Sequence, residues 1–367
     1  MDLRIRQTQS IALKQRQRLV TRIRVATLMK LPEHAFSSFV KQIEEDPVFK
    51  RLFAPSDQSP RVVCYQRFAN ASCALNLYEF KEEINRDEGS FDIEKLMHER
   101  KEVADIIRTI GAPNFEKYFL YNDEGYSLEA AGAACGISQD AAQKVNAVLD
   151  MLSVHGEFYH PSAVHYESRI TYYKVALLQE DGMGGFAIKF YSPRFTRGKY
   201  VIDYNRYNAL KKASQFSDEE LTRMNWILKN LEIINARKST LYQILTEIIK
   251  RQPAYLRSGN ERDLVAFSQK ELARAIQADE SIVSRAICGK SIETPQQVEK
   301  PLNFFFPSKK DIRKLIIREL VEREEGHLTD QKITALLKER FGIAISRRTV
   351  NVCRRELDGV QSGKRVS

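Results

Sequence analysis

The segment from Ser268 to Ala286 constrains the fold of this chain more than any other. Two helices that cross closely need a small residue at the crossing, a tight turn four residues later and an apolar anchor further on. Ala273, the Gln277-Ala278 turn and Val283 stand at that spacing. Ser268 and Asp279 are candidate caps for the two helices. Glu280, Ser281, Ser284 and Arg285 then fall on the outer side of the second helix, where base-reading residues sit when a helix enters a major groove. The glycine common in such a turn is absent. A helical pair used only for packing would share the spacing, but the polar outer side favours DNA contact.

A second instance runs from Thr329 to Leu357. Thr329-Asp330 cap a helix carrying Ile333, Leu336 and Leu337, Phe341-Gly342-Ile343 form the turn, and a basic helix starts near Ser346. Val350, Cys353 and Leu357 form its inward stripe at i, i+3 and i+7. Arg347 and Arg348 can bond guanine O6 and N7 or clamp phosphates, and Thr349 can donate to a phosphate; Asn351, Arg354 and Arg355 complete the candidate face. A solvated basic helix is the competing reading. A third instance spans Leu128 to Leu149, with Gly132 at the crossing, Cys135-Gly136-Ile137-Ser138 in the turn and Ala142 as anchor. Its second helix offers only Lys144 as a basic residue beside Asp140 and Gln143, so packing or protein contact is expected there rather than DNA.

The net charge of +10 coexists with 48 Asp and Glu, so its meaning depends on placement. Basic residues crowd the first thirty positions and the C-terminal end, while the middle is close to balanced. Phosphate-bearing partners are the first expectation. Five scattered cysteines without a C-x-x-C pair indicate neither a disulfide framework nor a zinc knuckle. His155, His160 and His165 recur every five residues across Pro161, which is not a ligand spacing on a helix. No catalytic signature, cofactor motif, signal peptide or membrane span is evident, and a cytoplasmic location is expected.

Elsewhere the chain reads as helices. One is expected from Lys14 to Lys30 and another from His34 to Asp46, closed by Pro47, with Phe36, Phe39, Val40 and Ile43 on its apolar face. This hairpin either packs on the rest of the protein or docks on a partner. Ala54 to Arg61 has linker composition, and Val62 to about Leu152 is expected to be helical with a break at Pro113. Tyr172 to Leu178 and Phe186 to Phe190, joined by Gly182-Met183-Gly184-Gly185, predict an antiparallel hairpin, with a third strand near Tyr200 to Asp203. The expected fold class is mainly α: a multi-domain helical protein with helix-turn-helix modules and a small β-hairpin insertion.

At these residues the sequence resembles the bacterial RNA polymerase sigma-54 factors. Their C-terminal helix carries Ala-Arg-Arg-Thr-Val-Ala-Lys-Tyr-Arg-Glu; here Arg347, Arg348, Thr349, Val350 and Arg354 match, while Val352, Cys353 and Arg355 replace Lys, Tyr and Glu. Their central motif ends Glu-Ser-Thr-Val-Ser-Arg-Ala, then Lys and Thr-Pro; Glu280 to Ala286, Lys290 and Thr294-Pro295 stand in that order. Trp226, Arg237, Thr240, Leu241, Ile249 and Gln252 resemble the family's tryptophan-containing helix and the one after it. Phe304 to Phe306 resemble its Phe-Phe element, read here as a hydrophobic strap between the two C-terminal modules. Gln7, Gln9, Gln15, Gln17, Leu28 to Leu31 and Glu44 to Pro47 resemble its activator-responsive arm.

The resemblance implies a non-catalytic, nucleoid-associated promoter-specificity subunit without a cofactor. Its partners would be core RNA polymerase, promoter DNA and an AAA+ ATPase enhancer-binding activator, and it would have no membrane association. The implied organisation is an arm at 1–53, a linker at 54–61, a core-polymerase-binding domain at 62–205, a central helix-turn-helix domain at 206–300 and a C-terminal promoter-reading domain at 308–360. Arg347 and Arg348 would read the promoter element called -24, and Arg285, with Ser281 and Ser284 beside it, would lie near the -12 element. The acidic segment that follows the arm in the family is reduced here to 54–61, and Arg stands in the arm where the family is mostly uncharged. A polymerase-independent helix-turn-helix repressor or replication initiator is the alternative. It leaves the Gln-rich arm and the Trp226 region without a role.

Overall fold

The computed structural model describes residues 25–54, 61–74, 93–154, 172–212, 216–323 and 328–363. The helix expected from Lys14, apart from its end at 25–30, lies outside the described residues, as do linker residues 55–60 and His155, His160 and His165.

One long helix, α9 (Asp218–Arg251), is the spine of the molecule. Ser217 and Glu220 close a capping box at its start, which supplies partners for backbone N–H groups that the first turn leaves open. Along it Met224, Ile227, Leu231, Ile234, Leu241, Ile244, Leu245 and Ile248 are all buried, so its apolar stripe covers more than one side. It ends at Gln252, and Pro253 begins the short α10 (Pro253–Ser258).

The N-terminal helices α1 (Glu33–Glu44) and α2 (Pro47–Phe53) lie against this spine. Phe36, Val40 and Ile43, as their spacing requires, are in the core. Pro47 does more than close α1, because it occupies the first turn of α2 with Asp46 capping the N–H of Val48 at 2.8 Å. Arg237 of α9 donates to the carbonyls of Leu28 and Leu31, and Arg223 pairs with Asp46 at 2.7 Å. Of the two roles open to this hairpin, packing on the body is the one observed for its described part.

The strands depart from expectation. β3 (Tyr173–Glu180) and β4 (Phe186–Phe190) form the antiparallel hairpin, and Asp181 Oδ1 accepts from the N–H groups of Met183 and Gly185 at 2.9 Å each. The anticipated third strand, β5 (Lys199–Ile202), does not join them; it pairs antiparallel with β1 (Val63–Gln66). The amide of Asn235 on α9 occupies the backbone of Tyr200, accepting from its N–H at 2.8 Å and donating to its carbonyl at 2.7 Å. That edge of β5 is therefore not available to the hairpin. The hairpin instead gains β2 (Ala71–Cys73), β6 (Lys290–Glu293) and β7 (Glu299–Pro301), giving the order β2-β4-β3-β6-β7. β1 and β2 also correct the all-helical expectation for the segment after Val62.

The parallel pairing of β6 with β3 carries the hydrophobic core across the limit expected near 205, and the packing of α1 and α2 with Val63 and Tyr65 of β1 carries it across 54–61. One continuous core holds residues from Leu28 to Phe306. A second belongs to α3 (Ile93–Ile110), α4 (Ala112–Phe115) with the π turn Glu116–Tyr121, α5 (Leu128–Ala134) and α6 (Gln139–Val154). A third belongs to the last three helices.

A buried polar cluster joins the first core to α6. Glu44 accepts from the hydroxyls of Tyr65 and Tyr200 at 2.6 Å each and from Arg194 at 3.1 Å. Arg194, itself buried, also donates to Asp150 at 2.6 Å. Burial alone would raise the Glu44 carboxyl, but the charges of Arg194 and Arg197, with hydrogen bonds from Tyr200 and Tyr65, hold it down at about 2. Fully buried Lys238 donates to the carbonyls of Arg194 at 2.7 Å and Gly198 at 3.0 Å. Desolvation pulls its ammonium down to about 7 against the opposing pull of Glu44.

Candidate nucleic-acid interface

The central helix pair forms as its spacing requires. α11 (Gln269–Ala275) opens with a capping box between Ser268 and Glu271, and α12 (Glu280–Ile287) follows four residues after α11 ends. Asp279 stands at the cap position of α12 but makes no capping hydrogen bond. Ala273 and Val283 are buried where the helices cross. The turn lacks glycine because Gln277 itself adopts the left-handed conformation, at φ 54°. Ser281 and Ser284 are exposed on α12 and Arg285 is half-buried. Val283, Ala286 and Ile287 hold the opposite face in the core. Among the described residues Arg285 makes no ion pair or hydrogen bond with the arm.

The C-terminal module consists of α13 (Lys309–Arg323), α14 (Asp330–Phe341) and α15 (Arg347–Gly363) around Ile316, Ile317, Leu320, Ile333, Leu337, Val350 and Cys353. Thr329 caps α14 through the N–H of Lys332, and Gly342 ends it at φ 65°, the left-handed position that favours glycine. Arg347, Arg348 and Arg355 are exposed. Arg348, Val352 and Arg355 recur at i, i+4 and i+7, so they share one outward stripe with Arg347 beside it. Val352 adds an apolar surface of the kind that meets a thymine methyl.

Two of the residues expected to contact DNA are held by hydrogen bonds within the module. Arg354 donates to Asp330 at 2.8 Å and to the carbonyl of Leu328 at 2.9 Å, and Asn351 donates to the second oxygen of Asp330 at 2.9 Å. Their shared partner accounts for this, because a carboxylate at the start of α14 attracts the polar groups one turn apart on α15. The hydrogen bonds from Asn351 and Arg354 keep the Asp330 carboxyl low. Thr349 is tied to Ser346, hydroxyl to hydroxyl at 3.0 Å. On the opposite flank Glu356 pairs with Lys310 and Lys314 at 2.6 Å each. α15 is thus anchored from both sides, with its arginine stripe left free. Asp330 and Glu356 are the functional supports that sequence reading missed. The only hint was their spacing from Arg354 and from the lysines of α13.

The third helix pair is also formed. Gly132 meets α6 where an added Cβ would lie 3.3 Å from that of Ala142, and Gly136 makes the turn at φ 67°. Lys144 pairs with Glu102 at 2.7 Å and with Asp140 at 3.2 Å.

Residues 214–366 match the family model described as Sigma-54, DNA binding domain. Over 185 residues the chain is 32% identical to a putative RNA polymerase sigma-54 factor of Clostridium kluyveri, an alignment covering 47% of this chain and 40% of that protein. Over 144 residues it is 33% identical to the RNA polymerase sigma-54 factor of Bacillus subtilis, covering 36% of this chain and 33% of that one. The chain therefore spans well under half the length of these relatives. A crystal structure of Aquifex aeolicus sigmaN bound to promoter DNA aligns with 70% of this chain and 96% of its own at 19% identity and a TM-score of 0.35. The residues matched by the family model include α12 and α15 together with Asp330 and Glu356, and over this part the chain is similar to the sigma-54 factors.

Proposed function

We propose that this protein is a transcription initiation factor that directs core RNA polymerase to bipartite promoters. α15 contacts the upstream element through Arg347, Arg348 and Arg355, and α12 contacts the downstream element through Ser281, Ser284 and Arg285. One observation carries this reading most directly: Asp330 and Glu356 brace α15 from behind while its arginine stripe faces solvent. Such preorganisation suits base readout, because the recognition helix loses little further freedom on binding.

The second helical core, with its internally paired charges, is the candidate for holding polymerase. The residues packed through Arg237 belong to the arm on which an AAA+ ATPase activator acts. ATP hydrolysis is assigned to that partner, and this chain has no catalytic role. A gel shift with core polymerase on a duplex carrying spaced GG and GC elements tests the assignment, followed by transcription with and without activator and ATP. A shift that requires core polymerase, and opening that requires ATP, are expected. Tight, specific binding by the protein alone would favour a polymerase-independent repressor or replication initiator.

A further inference from the structure

The joint between the two reading modules is small. The strap is firmly seated on the body side: Gln252, fully buried, donates to the carbonyls of Val265 at 2.8 Å and Phe305 at 3.0 Å, and Phe267 N–H donates to Pro307 at 3.0 Å. From Ser308, which caps α13 together with Asp311, the helix departs toward the third core. Ile312 touches both cores and Leu315 packs on the first. Farther along, Glu319 pairs with Arg262 of the turn Glu261–Asp263, with side chains 17% and 40% exposed.

Position along the lever decides which contact controls the angle. At 1.5 Å per residue Glu319 lies about 15 Å from the start of α13, whereas Ile312 lies only about 5 Å from it. A sideways restraint at Glu319 resists rotation about Ser308 far better than an equal one at Ile312. The far end of this 15-residue helix is about 22 Å from the pivot, so a swing of about 9° moves it roughly 3.4 Å, one base-pair step. A pair able to stop that swing selects the spacing between two DNA elements.

We propose that Arg262 and Glu319 are spacing-determining residues: their pairing fixes the separation of α12 and α15 and thereby the spacer length the protein accepts. This rests on the reading that both helices contact one duplex. Neither side chain lies on a reading face, and both are partly exposed, so each can be exchanged without opening a core.

The first experiment needs no DNA. Nitroxides are placed at the exposed Cys288 and at Lys338→Cys in full-length protein, with Cys64, Cys73 and Cys135 replaced by Ser, and the distance distribution is measured by pulsed electron resonance. A narrow distribution is expected for the parent, a clearly broader one for Arg262→Glu, and a return to narrow for the exchange Arg262→Glu with Glu319→Arg. Equal widths in all three overturn the proposal.

The second experiment measures binding with core polymerase to duplexes whose spacer is lengthened or shortened by one and two base pairs. The preference for the best spacer should fall about threefold to fivefold in Arg262→Glu, the range open to a partly exposed ion pair, and recover in the exchange. Unchanged preference in Arg262→Glu, or a parent indifferent to spacing, overturns the proposal. A parent that binds no duplex overturns the DNA reading itself. The distance measurement tells the two failures apart.

Discussion

Arg354 of α15 reaches Asp330 at the start of α14 at 2.8 Å and is held there, half-buried, while Arg347 and Arg348 are exposed. Arginines a few positions apart in one basic run therefore have different duties. One group is held inside the module and the other is left to solvent.

Replacing Arg348 by Ala should cost about 1 to 3 kcal/mol of discrimination between the preferred sequence and one altered at a single guanine. Arg354→Ala should leave that ratio intact and lower the stability of the C-terminal module by about 1 to 2 kcal/mol, the range for a lost charged hydrogen bond with some solvent exposure. Competition binding on paired duplexes, combined with urea denaturation, separates the two effects. A change in base preference in Arg354→Ala would contradict its assignment as a support.

Gln277 holds the left-handed conformation that a glycine would adopt without a steric penalty. Gln277→Gly should stabilise the central module by up to about 1 kcal/mol, because relief of the side-chain clash exceeds the added freedom of the unfolded chain. Thermal unfolding checks this, and an unchanged or lower midpoint would count against the strained turn.

Gly132 faces Ala142 at a crossing that leaves no room for a branched side chain. Gly132→Val should destabilise the α3–α6 unit by about 1 to 3 kcal/mol through overpacking. Hydrogen exchange should show the loss in 93–154 with little change in 268–287, since the two regions belong to different cores.

The buried cluster predicts two pH windows in which stability rises with pH. Glu44 is held at about 2, below its ordinary value of 4.5, so between these limits the unfolded chain binds more protons and stability falls as pH drops through that window. Lys238 is held at about 7, below its ordinary 10.5, so from about 7 upward the unfolded chain again binds more protons and stability rises as pH increases toward 10.5. Urea denaturation across pH should show both slopes. Lys238→Met should flatten the alkaline one, and Glu44→Gln should flatten the acid one while extending the alkaline one to lower pH, because the charge that opposes desolvation of Lys238 is gone.

The three helix pairs were legible in the sequence because their contacts are local. Ala273 and Val283, or Gly132 and Ala142, are ten residues apart, so the steric demands of one crossing are written in one short stretch. The alternation of Phe186 to Phe190 and the glycine turn likewise announced their hairpin. What the hairpin pairs with was not legible, because β6 comes from residues more than a hundred positions away and backbone hydrogen bonding carries no residue code. The same holds for β5, which is kept from the hairpin by the single side chain of Asn235. Residue type alone placed Asn351 and Arg354 with Arg347 and Arg348 on one basic helix. Only the tertiary position of Asp330 decided which of them are held within the module and which are left to solvent, since a carboxylate brought within hydrogen-bonding reach outcompetes solvent for the groups beside it.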